Sequence, residues 1–275
     1  MDFRKYTPGW PLSEFVHLFW SCEQYRAPHA KERLLPDGSV ELVINLRADI
    51  SRTYDRDDPE RCHTFPGVIV AGPHSNFFVI DTDEQEGCMG IHFRPGGAFA
   101  FLGVPADELH DTLIGLDALW GRGAAELRER MLDVATPEER FRELERILLK
   151  RLGRSPSRHP AVAFSLRKFE RAPHIQTVGD ITREVALSSR RFIQVFREQV
   201  GMSPKLYCRV RRFQAAVQTI GAGKAVDWTT VALDCGYYDQ AHFIHDFRAF
   251  SGLTPTMYLS QHTAHLNHVP LDSVT

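Results

Sequence analysis

An α+β chain of two domains, a small β-sandwich or barrel with following helices and then an all-α domain, is what the sequence predicts. Three observations carry that reading. Short β-branched and aromatic runs separated by turn residues fill roughly the first hundred positions. From Pro105 onward the apolar spacing changes to that of amphipathic helices. A set of landmarks between residues 178 and 258 then occurs twice at one fixed offset.

The 275 residues, 43% apolar and 25% charged, suffice for two domains and exclude disordered and fibrous classes. No apolar run reaches the roughly 18 residues of a membrane span, and Met1-Asp2-Phe3-Arg4-Lys5 lacks the apolar core of a secretory signal. A cytoplasmic protein is expected. The five cysteines are widely spaced and suggest reduced thiols rather than a disulfide framework.

Strand runs are Val40 to Leu46, Gly67 to Ala71, Asn76 to Ile80 and Met89 to Phe93, bounded by Pro36-Asp37-Gly38, Ala71-Gly72-Pro73 and Arg94-Pro95-Gly96-Gly97. The polar stretch from Ala48 to Arg61, with five acidic residues, is expected to be a solvated loop. These make the β part, 1–104, of a first domain of residues 1–152. Its helical part, 105–152, includes Ala124 to Val134 and Pro137 to Leu152, the second capped by Thr136 with Pro137 in its first turn. The stripe Phe141, Leu144, Ile147, Leu148 and Leu152 has two uses that sequence leaves open: packing on a second copy in a homodimer, or covering its own β domain. Residues 153–160 read as a linker, 161–262 as the all-α domain and 263–275 as a tail.

Charge divides along the same line. Residues 1–149 hold 16 Lys+Arg against 26 Asp+Glu, whereas residues 150–262 hold 17 against 8. An acidic domain joined to a basic one fits a chain whose second half faces a polyanion.

The duplicated landmarks are Phe192 and Phe243, Phe196 and Phe247, Gly201 and Gly252, Pro204 and Pro255, and Tyr207 and Tyr258, each pair 51 residues apart. Each copy is a helix, a turn at Ala186 or Gly236, and a second helix capped by Ser188 or Asp239. This is the helix-turn-helix arrangement, whose second helix enters the DNA major groove. In the first copy Phe192, Val195, Phe196 and Val200 form the core face, leaving Ser189, Arg190, Gln194 and Arg197 outward and Arg191 and Ile193 at the margin. In the second, Phe243, Ile244, Phe247 and Phe250 are the buried stripe, and Gln240, Ala241, His242, His245 and Arg248 point away. Guanidinium and carboxamide groups early in such a helix suit guanine and adenine edges, while later basic groups hold phosphate. Arg209, Arg211 and Arg212 are expected to add positive charge between the copies.

The stretch from about Ala161 to Leu259 resembles the DNA-binding domain of AraC/XylS-type transcriptional regulators. Gly236-Tyr237-Tyr238-Asp239-Gln240-Ala241-His242-Phe243-Ile244, Phe247-Arg248, Gly252-Leu253-Thr254-Pro255 and Tyr258 carry the likeness. The resemblance implies two helix-turn-helix units joined by a long helix, with Arg190, Ile193, Gln194, Gln240, Ala241, His242 and His245 at positions that meet bases. Thr182 stands where the family has a small Ala and Ala186 where it has the turn Gly, so another turn geometry is expected in the first unit. Leu35-Pro36-Asp37-Gly38, Ala71-Gly72-Pro73 and His92-Phe93-Arg94-Pro95-Gly96-Gly97-Ala98 resemble a cupin-related sensor domain. Such a domain implies a small-molecule effector, with His92 and Arg94 as candidate polar groups of its pocket.

The partners expected are double-stranded DNA, an effector and, for an activator, RNA polymerase, with no membrane. Neither a cofactor nor a metal is expected. His242 and His245 lack a third ligand in sequence reach, and His63, His74, His92, Cys62 and Cys88 lack the paired-His spacing of cupin metal sites. No nucleophile elbow or His-Glu-x-x-His helix is present. The alternative reading is a metal-binding or enzymatic cupin attached to a DNA-binding module.

Overall fold

Period-two alternation along the strands positions everything in the first domain. A computed structural model of the protein describes residues 2–152, 158–171, 178–222 and 226–271, so most of the expected linker lies outside the described residues. The strands are β1 (Asp2–Tyr6), β2 (Val16–Glu23), β3 (Lys31–Leu34), β4 (Glu41–Asn45), β5 (Ile50–Tyr54), β6 (Cys62–Pro66), β7 (Val68–Ala71), β8 (Phe78–Asp81), β9 (Cys88–Phe93), β10 (Leu113–Gly115) and β11 (His268–Pro270). One antiparallel sheet runs β1-β2-β9-β4-β7-β10 and a second runs β11-β3-β8-β5-β6. In the first sheet Leu42, Ile44, Val68, Val70, Met89, Ile91 and Phe93 share one buried face that packs on helices. Their neighbours Glu41, Val43, Ile69, Ala71, Cys88 and His92 face the second sheet across a cavity.

The helices are α1 (Phe99–Leu102), α2 (Asp117–Trp120), α3 (Arg122–Leu132), α4 (Pro137–Leu152), α5 (Pro160–Arg171), α6 (Val178–Val185), α7 (Ser189–Val200), α8 (Pro204–Gly221), α9 (Trp228–Asp234), α10 (Gln240–Ser251) and α11 (Pro255–Gln261). The stripe of α4 is turned inward. Phe141 stacks on Tyr6 and Phe19, with ring centroids 5.8 and 6.3 Å away, and Leu144 and Leu148 are fully buried. That face therefore covers its own sheet and is not available to a second copy.

Two further expectations change. The polar stretch 48–61 is not all loop: Ile50–Tyr54 is a strand paired with β6 and β8. Its inward residues are Ser51 and Thr53, which face the cavity, so its burial carries no apolar signal. The tail is not a loose end either. His268–Pro270 adds an edge strand to the second sheet, antiparallel to β3, and Val269 is fully buried.

In the all-α domain the duplicated landmarks Phe192, Phe196, Tyr207, Phe243, Phe247 and Tyr258 are all fully buried in one core with Phe213 and Phe250. The repeated glycines end α7 and α10 in the left-handed region, with φ of +87° at Gly201 and +72° at Gly252. Both also lie where the two domains meet. A Cβ on Gly201 would strike Pro73 and the Ala106 carbonyl, and one on Gly252 would strike the Phe77 ring. Beside Gly252 the Phe77 amide donates to the Phe250 carbonyl at 3.1 Å.

Candidate nucleic-acid interface

Each second helix of the repeat begins on a capping side chain, which fixes where its first turn starts. Ser188 Oγ accepts from the Arg191 amide at 3.3 Å, and Asp239 Oδ1 accepts from the His242 amide at 2.7 Å. The turns before them share a left-handed residue, Gly236 at φ +81° and Ala186 at φ +54°. The first unit thus keeps the geometry that its alanine was expected to abandon. Thr182, at the other departure, is half-buried and its hydroxyl donates back to the Gly179 carbonyl at 3.1 Å.

On α7, Ser189, Arg190, Gln194 and Arg197 are exposed and Ile193 is half-buried. Gln194 Nε2 donates to Glu198 Oε1 at 2.8 Å, one turn on. Arg197 lies 3.6 Å from Asp107 of the first domain across an exposed contact, an arrangement worth little in water. On α10, Gln240, Ala241, His245 and Arg248 are exposed. His242 does not simply point away: it is half-buried, its ring packs edge-on to Tyr237 at 5.3 Å, and its Nδ1 accepts from the Tyr238 amide at 3.4 Å. Ile244, expected in the buried stripe, is only partly buried.

Beneath these helices is a pair that sequence reasoning missed. Asp246, almost fully buried on α10, accepts from Arg209 of α8 through Nε at 3.2 Å and Nη2 at 2.7 Å. The hydrogen bond with Asp246 holds the Arg209 pKa above its ordinary value. His242 and His245 each lie 3.8 Å from the same carboxylate. Arg209 also lies over Phe250, and Arg212 over Tyr237. Arg209, Arg211 and Arg212, expected to supply positive charge between the units, are all half-buried, with Arg209 and Arg212 lying against rings of the domain. A partner 37 positions away leaves no local trace in sequence.

The cavity between the sheets measures about 590 Å³. Its lining runs from Leu18, Trp20 and Glu41 through Ile69, Thr53 and Phe78, and it is completed by Gln218 of α8 and by residues 264–268. His92 lines it, but Arg94 does not: Arg94 Nε donates to the Ser13 carbonyl at 2.9 Å instead. Beside His92 stand Asp37, 3.3 Å from Nε2, and Glu41, 3.8 Å from Nδ1. Burial opposes the charge on His92, but these carboxylates outweigh it and push its pKa up to about 9. No group of three or more His, Cys, Asp or Glu side chains among the described residues could hold a metal ion.

Residues 181–261 match a family described as a helix-turn-helix domain. Residues 4–115, the sandwich that precedes this helix-turn-helix domain, match a domain of unknown function, DUF6597. The probable transcriptional regulator LumQ of Photobacterium leiognathi is 31% identical over 88 residues, 31% of this chain and 35% of that protein. The chain spans about a third or less of the length of the curated relatives it matches. A probable AraC family transcriptional regulator from Rhodopseudomonas palustris overlays 37% of this chain and 96% of its own at 26% identity and a TM-score of 0.34. ToxT from Vibrio cholerae overlays 94% of this chain and 98% of its own at 10% identity and a TM-score of 0.47. No helix among the described residues is long and apolar enough to cross a membrane.

Proposed function

We propose that the chain is a DNA-binding transcription regulator that reads DNA with α7 and α10 and responds to a small molecule held between its sheets. The observation that carries the DNA half is the pair of capped, equivalently built helices whose first two turns expose Ser189, Arg190 and Gln194 on one and Gln240, Ala241 and His245 on the other. Arg190 and Gln194 read bases in one major-groove segment, with Ile193 at its margin. Gln240, Ala241, His242 and His245 read the next, and Arg197 and Arg248 hold phosphate. The effector half rests on the cavity having walls from both domains, because a ligand touching residues 264–268 and Gln218 touches the part of the chain that reads DNA. Cytoplasmic residence accompanies this role, and no catalytic step belongs to it.

Selection of binding sites from random DNA by the full chain tests the reading. The expected product is a motif with two segments about one helical turn apart. Arg190→Ala relaxes one segment and His242→Ala the other, each costing about 1–3 kcal/mol. Affinity should fall with salt at a logarithmic slope near −0.9 per phosphate neutralised. A salt-independent affinity, or a motif unchanged by both substitutions, would overturn the assignment.

A further inference from the structure

Arg190, Gln194 and Glu198 follow one another at every fourth position and so lie in one row along α7. Arg190 and Gln194 are exposed and Glu198 is half-buried. The last turn of the helix, which carries Glu198, is fastened to its surroundings. Its chain neighbour Gln199 is buried and accepts from the His159 amide through Oε1 at 3.0 Å, and a Cβ on Gly201 would strike Pro73. Arg197, the neighbour on the other side, turns to Asp107, 3.6 Å away. Glu198 Oε1 is taken by Gln194, whose Nε2 donates to it at 2.8 Å.

An ionised carboxylate only accepts, so the Gln194 amide has to present its nitrogen, and not its oxygen, to Glu198. Of the two N–H bonds, the one directed away from Oε1 suits this contact, because the other would bring the carbonyl oxygen against the carboxylate. The edge left free then holds Oε1 and one N–H side by side. In the major groove adenine offers the complement, an N6 donor next to an N7 acceptor, whereas guanine presents two acceptors, O6 and N7. A glutamine with both N–H bonds free can turn them toward guanine; one whose N–H is held by a carboxylate cannot. Gln240 on α10 has no such anchor, since Thr229 Oγ1 stands 3.4 Å from its Oε1, long for a hydroxyl hydrogen bond. Glu198 is set back one turn from Gln194, away from the N-terminal end of the helix that enters the groove.

We propose that Glu198 is a positioning residue that commits the Gln194 amide to adenine and makes α7 discriminate adenine from guanine at that base pair. The proposal rests on the DNA half of the functional reading. A carboxylate that merely repelled phosphate would leave a different signature: its removal would raise affinity for all sequences alike, without changing the ratio between two bases.

Anisotropy titration of the full chain against duplexes of its selected motif, differing at one base pair, tests the proposal. Replacing the adenine of the α7 segment by guanine should weaken binding at least about tenfold. Gln194→Ala should abolish that ratio. Glu198→Ala should reduce it to about threefold or less while preferences in the α10 segment stay as they are, and Glu198→Asp, which keeps an acceptor at the same interval, should retain most of it. Two base analogues read the contact with the native chain and need no variant to fold. Purine, which lacks the N6 amine, and 7-deazaadenine, which lacks the N7 acceptor, should each weaken binding at least about threefold. An adenine-to-guanine ratio untouched by Glu198→Ala, or native binding indifferent to either analogue, would overturn the proposal. A chain that selects no motif overturns the regulator and this proposal with it; a motif with no Gln194-dependent adenine overturns this proposal alone.

Discussion

Ala186 holds a left-handed backbone at φ +54° that a side chain makes costly, and its counterpart in the second unit is glycine. The cost for an L-residue is about 1–2 kcal/mol, of which a glycine would return part as entropy in the unfolded chain. Ala186→Gly should therefore stabilise the first unit by up to about 1 kcal/mol and raise its melting temperature by about 2–4 °C, as thermal denaturation would show. A decrease would mean that the alanine methyl packs rather than strains. The departure from the family pattern was legible at this residue, but its outcome was not, because surrounding helices decide whether a turn relaxes or endures strain. At His92 the pH dependence has a definite sign. Its folded pKa, about 9, lies above the ordinary 6.5, so its contribution is complete below pH 6.5 and is lost as pH rises through 9. With a side chain about a quarter exposed, the contribution is on the order of 2–3 kcal/mol. Melting curves from pH 6 to 10 should fall on the alkaline side for the native chain and flatten there for His92→Gln.

Among the elements, helices were read well and strands unevenly. Amphipathic helices announce themselves because one face is apolar over several turns, as α4, α7 and α10 do. A strand does so only when its buried residues are apolar. β5 buries Ser51 and Thr53 against a cavity, and β1 carries mostly exposed side chains, so neither shows the alternation of a packed core. The cavity thus hid a strand from sequence reasoning and is also why that strand is polar. The use of the α4 stripe was undecidable for a related reason: a stripe shows that something covers it, not what. The structure answers with Tyr6 and Phe19 on Phe141. Phe141→Ala should cost the first domain about 3–5 kcal/mol, read by denaturant unfolding. A loss below about 1 kcal/mol would place the ring outside the core. Arg248→Ala, on an exposed turn of α10, should weaken binding to all DNA sequences alike by removing a phosphate contact, in contrast to the segment-specific loss at His242.

For the whole molecule, the segment after α11 fastens the two domains together. Tyr258 Oη donates to the Leu266 carbonyl at 2.9 Å, and Gln214 Nε2 of α8 donates to both Asn267 Oδ1 and the Pro36 carbonyl. β11 then enters the second sheet, where His268 Nδ1 meets Glu32 Oε2 at 2.7 Å. Glu32 is fully buried, and its other partners are His29 and the Tyr25 hydroxyl. Burial opposes its charge, yet the hydrogen bonds, led by that from His268, hold its pKa down to about 2. A carboxylate with a lowered pKa stabilises the fold above its ordinary 4.5 and loses that contribution as pH falls toward 2. His268→Ala removes the strongest of these partners, so the Glu32 pKa should climb and the edge strand should let go at a higher pH. Hydrogen exchange of residues 264–270 between pH 4 and 6 reads this directly. The native chain should keep the His268 and Val269 amides protected across that range, and the variant should lose protection first at its acid end. Equal protection in both would show that the ladder to β3 alone fastens the segment, and that the Glu32 contact is incidental to joining the cavity to the helix-turn-helix domain.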